Sequence, residues 1–194
     1  MHGALAHNVF LVKEHVGMFK AANNYDIYDS GGRVILHCRE DNLGFFTRLL
    51  RFTDFKRMTP FAIEIRVPDG EPLIRVTRGI AFIRSTVTVH DEQDRVLGYF
   101  RQKLLSIGGR FTVLDAGEKD LCQLAGKWTS WDFRFMAGDR ELARITKKWA
   151  GLAKEMFTTA DTYALEINAS VPADSPLRQL ILAAVVCVDM VLKE

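Results

Sequence analysis

The sequence predicts a mainly β protein: a closed antiparallel barrel of about a dozen strands around a buried C-terminal helix. Three observations lead there. Leu180 to Val188 are consecutive residues without a polar side chain, so a helix through them is apolar on every face and must be surrounded. Turn-type clusters at 68–70, 91–94, 115–117 and 138–139 place aspartates 69, 91, 115 and 139 at steps of 22, 24 and 24 residues. Short runs of alternating apolar residues flank each cluster, which is the hairpin pattern. Propeller blades need about 40 residues each and fit this period poorly. Closing the sheet removes exposed edges, and a barrel of this size has room for a helix along its axis.

The elements follow in order. Residues 25–28, the turn 29–32 and residues 33–36 form a first hairpin. Runs 61–67 and 73–76 flank the turn 68–70, runs 86–89 and 96–100 flank 91–94, runs 111–114 and 121–124 flank 115–117, and runs 133–135 and 142–145 flank 138–139. Residues 163–167 add a strand before the helix. The total is ten to twelve strands. The helix start is well marked, because Ser175 can N-cap and Pro176 sits at the first helical position, where its missing N–H costs nothing. Leu180, Leu182, Val185 and Val188 are the expected plug. Asp189 is the exception on it, an anion near the C-terminal end, where the macrodipole disfavours it. Either it reaches solvent at the end of the surrounding wall, or it is a buried carboxylate with a specific partner. The stretch from Arg178 to Lys193 reaches about 21 Å as a helix against a hydrocarbon core of ~30 Å, so no transmembrane span is expected.

Composition narrows the classes. Apolar content of 48% and charged content of 26% are ordinary globular values, so disorder is not expected. No composition break marks a boundary, and one domain over 1–194 is the expectation. A net charge of +2 does not argue for nucleic acid. Cys38, Cys122 and Cys187 lack C-x-x-C pairing, which favours free thiols in a reducing compartment over disulfides or zinc. The first sixteen residues lack a basic n-region and a long apolar h-region. The expected location is therefore the cytoplasm, peripheral at the membrane where lipid is bound.

One segment exceeds the hairpin period. Residues 44–57 interleave Arg48, Arg51, Lys56 and Arg57 with Phe45, Phe46, Phe52 and Phe55. Such a loop can pack its apolar side on the barrel, or it can meet anionic lipid headgroups with the phenylalanines dipping in. The charge surplus lies in this half: residues 48–110 hold twelve Lys or Arg and seven Asp or Glu. Catalytic patterns are sparse. The five histidines show no metal-ligand spacing, and G-x-S-x-G, P-loop and G-x-G-x-x-G motifs are absent. Ser85, His90 and Asp91 could be imagined as a triad, but short strands point them variously. Trp128, Trp131 and Trp149 read as packing residues, and the sequon Asn168-Ala-Ser170 as chance. No catalytic residue, metal or cofactor is expected.

Several segments resemble a known family. YDIYDSGGRV at 25–34, PFAIEI at 60–65, ARITKKWAG at 143–151, EMFTTADTY at 155–163 and AVVCVDMVLKE at 184–194 are similar to the tubby-like superfamily, in its phospholipid scramblase and LURP-one-related branch. The resemblance covers almost the whole chain and implies a twelve-stranded barrel around a C-terminal helix. It also implies an association with calcium-dependent movement of phospholipid between leaflets. The family's calcium segment carries acidic residues in an Asp-x-Asp arrangement; here Thr159 takes the first position and only Asp161 matches. One carboxylate is a poor site for an ion that takes six to eight oxygens, even with help from Glu166. The Pro-rich N-terminus and acylated cysteine cluster of the animal proteins are missing, so no lipid anchor is implied. The reading is a non-catalytic scramblase-like barrel that binds anionic phospholipid headgroups or a small apolar ligand at a membrane surface. The alternatives are a soluble LURP-one-related interaction scaffold with no lipid role, its protein partner unknown, and an enzyme of unrecognised type.

Overall fold

The computed structural model describes residues 2–15, 24–40, 59–80, 86–102, 110–127, 131–147 and 162–192, with helix side chains described through 188. After a 3₁₀ turn at Gly3–Ala6 come twelve strands. They are β1 (Val9–Glu14), β2 (Tyr25–Tyr28), β3 (Val34–Glu40), β4 (Phe61–Arg66), β5 (Pro72–Arg78), β6 (Thr86–Asp91), β7 (Val96–Gln102), β8 (Arg110–Asp115), β9 (Asp120–Lys127), β10 (Asp132–Ala137), β11 (Arg140–Thr146) and β12 (Thr162–Ile167). Helix α1 (Pro176–Leu192) follows. Each strand pairs antiparallel with its sequence neighbours, and β1 closes the barrel by pairing with both β2 and β12.

β1 lies outside the hairpin pattern, for a physical reason. Its residues Phe10, Leu11 and Val12 are all buried, so it does not alternate. Phe10 and Val12 join the main core, while Leu11 packs on the outer face with Ala164, Val9 and Tyr28. A strand covered on both faces has no period of two to read. Strands exposed on one face do alternate, with Phe61, Ile63 and Ile65 inward on β4 and Val87 and Val89 inward on β6.

Four of the five hairpin turns share one geometry, in a register shifted from the aspartate spacing. Asp29, Asp91 and Asp115 each open a turn by accepting, through Oδ1, the N–H groups of the second and fourth residues on, all at 2.9 Å. Their backbone carbonyls accept from the third residue, which takes a left-handed φ: 81° at Gly32, 61° at Asp94 and 62° at Glu118. Val67 opens the matching turn without a side-chain cap, and Gly70 supplies its φ of 95°. Asp69 and Asp139 therefore occupy other turn positions than Asp91 and Asp115.

The helix occupies the barrel axis. Leu180, Leu182, Val185 and Val188 are at most 1% exposed, as are Ile181, Ala183, Ala184 and Val186. Full burial of a large aliphatic side chain is worth roughly 1.5–3 kcal/mol, so α1 contributes a gross term as large as the net stability of a whole domain, about 5–15 kcal/mol. Gly98 lets the wall approach: a Cβ there would lie 2.1 Å from the Leu114 carbonyl oxygen and 3.1 Å from Leu180 Cδ1. The Asp189 side chain lies outside the described residues. Among those residues, no helix is long and apolar enough to cross a membrane.

The helix entrance is pinned. The Leu177 N–H donates to Ser175 Oγ at 3.2 Å, with Pro176 at the first position. Arg178 is 2% exposed. Its guanidinium donates to the carbonyls of Leu5 (2.6 Å), Val171 (2.9 Å), Ala6 and His7 and to Asn8 Oδ1 (2.7 Å). The chain's first turn is thereby tied to the plug.

Candidate functional site at the long-connection rim

Antiparallel order gives the barrel two unlike rims. The β2–β3, β4–β5, β6–β7, β8–β9 and β10–β11 turns and the helix entrance share one of them. The connections β1–β2, β3–β4, β5–β6, β7–β8, β9–β10 and β11–β12 leave from the other, and all of them except β9–β10 are longer than the turns. The expected lipid-contacting residues Arg48, Arg51, Lys56, Arg57, Phe45, Phe46, Phe52 and Phe55 fall in the β3–β4 connection, and Thr159 and Asp161 in the β11–β12 connection. All of these lie outside the described residues. The strand ends that flank the two segments are nonetheless on one rim.

A charged cluster sits on the outer wall beside that rim. Asp26 points outward from β2, between the inward Tyr25 and Ile27. Its carboxylate receives His15 Nε2 at 2.6 Å from the end of β1, and His37 Nδ1 at 2.6 Å and Arg39 Nη2 at 2.7 Å from β3. Arg39 Nη1 also donates to the Tyr25 carbonyl at 2.7 Å. Burial raises the Asp26 pKa, but the donors His37, Arg39 and His15 outweigh it and hold the group at about 2. Burial, helped by the Asp26 charge, pushes the Tyr28 phenol up. The five histidines show no metal-ligand spacing in the sequence, and two of them meet on Asp26. A register shift between Ile27 and Tyr28 sets Asp26 opposite His37, beyond the run 33–36 read from the sequence, and His15 required β1.

Elsewhere on the described outer wall several charges are paired. Arg33 meets Asp29, Arg66 meets Glu64, Arg95 meets Asp91, Arg101 meets Glu118, and Arg144 meets Asp132. Glu166 is exposed and adds to the field at Arg144. At the rim itself, Trp131 takes a φ of 47°, rare for a bulky side chain. Its ring stacks on Tyr163 at 4.8 Å, edges Phe133 at 6.2 Å, and has Lys147 Nζ 4.5 Å from its centroid. Arg78 faces inward near Cys187, donates to the Thr59 carbonyl at 2.7 Å and lies 4.8 Å over the Phe61 ring.

The imagined triad is not assembled. His90 and Asp91 are adjacent on β6, and the Asp91 carboxylate is taken by its own turn and by Arg95; Ser85 lies outside the described residues. Asn168 of the sequon accepts the Ser170 N–H as a turn cap. Cys38, Cys122 and Cys187 are free and buried. Burial pushes the Cys122 thiol up to about 12 and raises Cys38 and Cys187 as well. Among the described residues, no group of three or more His, Cys, Asp or Glu could hold a metal ion.

Three similarities bear on the whole chain. A family profile described as Scramblase matches residues 7–194. Human phospholipid scramblase 2 is 23% identical over 177 aligned residues, which cover 84% of this chain and 58% of that protein. This chain thus spans a little over half the length of that curated relative. An Arabidopsis thaliana protein solved by X-ray crystallography superposes with a TM-score of 0.53 at 16% identity, covering 94% of this chain and 91% of that one. At that identity the likeness concerns the fold, a tubby-like barrel.

Proposed function

This chain belongs to the Scramblase family, and on that premise we propose that it is a non-catalytic barrel that binds anionic phospholipid headgroups at a membrane surface. The observation that carries this reading is the filled axis. Leu180 to Val188 occupy the interior and are at most 3% exposed, so a lipid has to be met from outside, on a wall or a rim. The rim that bears the 41–58 connection is the suited one, because that segment alternates four cations with four phenylalanines. Each cation near an anionic surface is worth about 1 kcal/mol, so four supply roughly 4 kcal/mol of reversible, salt-sensitive attachment. Residues 1–194 act as one domain in this reading, peripheral to the cytoplasmic face of the membrane.

The test is co-sedimentation with phosphatidylserine vesicles, comparing the wild type with a variant carrying Arg48, Arg51, Lys56 and Arg57 as glutamine. Wild-type binding that falls with salt and is lost in the variant is expected. Equal binding by both proteins, or none by either at low salt, would remove the patch from the account. A second reading has its own support, because the ion pairs around the described wall leave much of its charge internally satisfied. It makes the protein an interaction scaffold with no lipid role, and absence of vesicle binding would favour it.

A further inference from the structure

We propose that this protein docks end-on to an anionic bilayer through its whole long-connection rim, with Ile80 and Lys147 on opposite sides of the contact and the acidic turn rim facing away. Docking of any kind rests on the lipid reading above; the orientation is additional to it. The two rims differ sharply in composition. The six connections of one rim, 15–24, 41–60, 79–85, 103–109, 128–131 and 147–161, hold ten Lys or Arg against four Asp or Glu. The five turns of the other, with the 168–175 connection into the helix, hold three against eight. Phe, Trp, Leu, Ile and Met number 22 in the first set and none in the second. Every one of the six connections except 128–131 carries a cation beside such a residue, as in Phe19-Lys20, Ile83-Arg84 and Lys103-Leu104. Cations that flank aromatic and aliphatic side chains suit the headgroup region, where the charge meets anionic lipid and the apolar part enters the acyl boundary.

The described residues of that rim fit the same contact. Ile80 follows the end of β5 and is 65% exposed, the one large hydrophobic so exposed among the described residues. Lys147 follows the end of β11 and is exposed, with its ammonium 4.5 Å from the centroid of the half-buried Trp131 ring. β5 and β11 stand six places apart in a closed ring of twelve strands, hence on opposite sides of the barrel. A barrel lying on its side brings only one of them to a membrane. A barrel standing on this rim brings both.

Screening decides between the two orientations. A six-residue strand such as β4 spans about 20 Å, and strand tilt leaves roughly 15 Å along the barrel axis. Charges are screened over ~8 Å at physiological ionic strength. Standing end-on, the barrel sets its cationic rim against the lipid and its acidic rim about two screening lengths away. Lying on its side, it brings both rims to the surface, where the acidic turns offset the cations.

The full chain is labelled with nitrobenzoxadiazole at Ile80→Cys, at Lys147→Cys or at Asp94→Cys. The native thiols are buried, and the Asp94 side chain on the turn rim is 68% exposed. Each protein is sedimented with phosphatidylserine–phosphatidylcholine vesicles that carry a nitroxide lipid as quencher. Sedimentation with lipid-quenched emission at both 80 and 147, and none at 94, is expected. Sedimenting protein that responds at fewer than both of these positions, or at 94, overturns the end-on docking and leaves the lipid reading standing. Absence of sedimentation at low salt overturns both. Unlabelled Ile80→Asp, a change at an exposed position, should melt as the wild type does and bind about tenfold more weakly. Wild-type binding by that variant overturns the contact. An emission change at 80 that grows with protein concentration in the absence of vesicles assigns the rim to a second copy of the chain and overturns the docking as well.

Discussion

Two buried or half-buried side chains carry consequences out of proportion to their size. Among the described residues Arg178 has no carboxylate partner; it donates to carbonyls of residues 5–7 and 171 and to the Asn8 amide oxygen. A hydrogen bond to a charged group contributes about 1.5–3 kcal/mol. Arg178→Met removes all of them and strands buried carbonyls, so a loss of at least ~3 kcal/mol is expected. At roughly 2–4 °C per kcal/mol for a chain of this size, the melting temperature should fall by about 10 °C. Arg178→Lys should recover only part, because a compact ammonium cannot fan out over acceptors on both sides. Equal melting of Arg178→Met and wild type would show the fan to be ornamental. Asp26 makes the second case. Its folded pKa of about 2 lies below the usual ~3.9 of an aspartate. The stabilisation is therefore complete above pH ~4 and lost as pH falls from there toward 2. After solvent screening it amounts to about 1 kcal/mol. Acid unfolding of Asp26→Asn should be correspondingly flatter between pH 4 and 2, as followed by circular dichroism.

At the scale of elements, the helix and the hairpins stabilise the fold by different means. Each Asp-opened turn satisfies its own backbone groups, so a hairpin is specified locally. The plug is specified by its surroundings, since an all-apolar helix has no stable exposed state. Val185 is 1% exposed at mid-helix. Val185→Asp would bury a charge without a partner, at a cost of several kcal/mol even after its pKa adjusts. That approaches the ~5–15 kcal/mol of a whole domain. The expected outcome is insoluble or non-cooperatively folded protein, checked by thermal melting of whatever remains soluble. Soluble protein with a near-normal transition would contradict enclosure. Gly98 belongs to the same contact, because the wall at that position leaves no room for a Cβ.

For the whole molecule, the division between rims organises function. One rim is closed by tight turns and the Arg178 lock, and the other carries the connections that hold the basic-aromatic segment and Asp161. Thr159 interrupts the acidic pair beside Asp161, so calorimetry should show no saturable Ca²⁺ binding at micromolar concentration. Tight binding abolished by Asp161→Ala would move the protein toward calcium-dependent lipid movement. Much of this plan was legible in the residues. The hairpins around 29–32, 68–70, 91–94, 115–117 and 138–139 and the plug could be read directly, because alternation and turn chemistry act over a few residues. β1 was not legible, because Leu11 and Ala164 bury its outer face and erase the period. Asp69 and Asp139 suggested a regular aspartate series, but the repeated quantity is a backbone geometry, which Val67 opens as well as Asp91 does.

The sequence by itself determined the strand-rich class, the order of the five hairpins, the capped helix at Ser175 and the need to enclose Leu180 to Val188. These properties follow from period, propensity and the cost of exposing apolar surface, all of which are local or compositional. Only the tertiary structure decided what comes together across distance. The pairing of β1 with both β2 and β12 brings His15 to Asp26 and closes the wall. Insertion of the helix brings Arg178 to carbonyls some 170 positions earlier in the chain. Such contacts depend on closure of the sheet, and closure is a property of the whole chain that no short window of residues encodes.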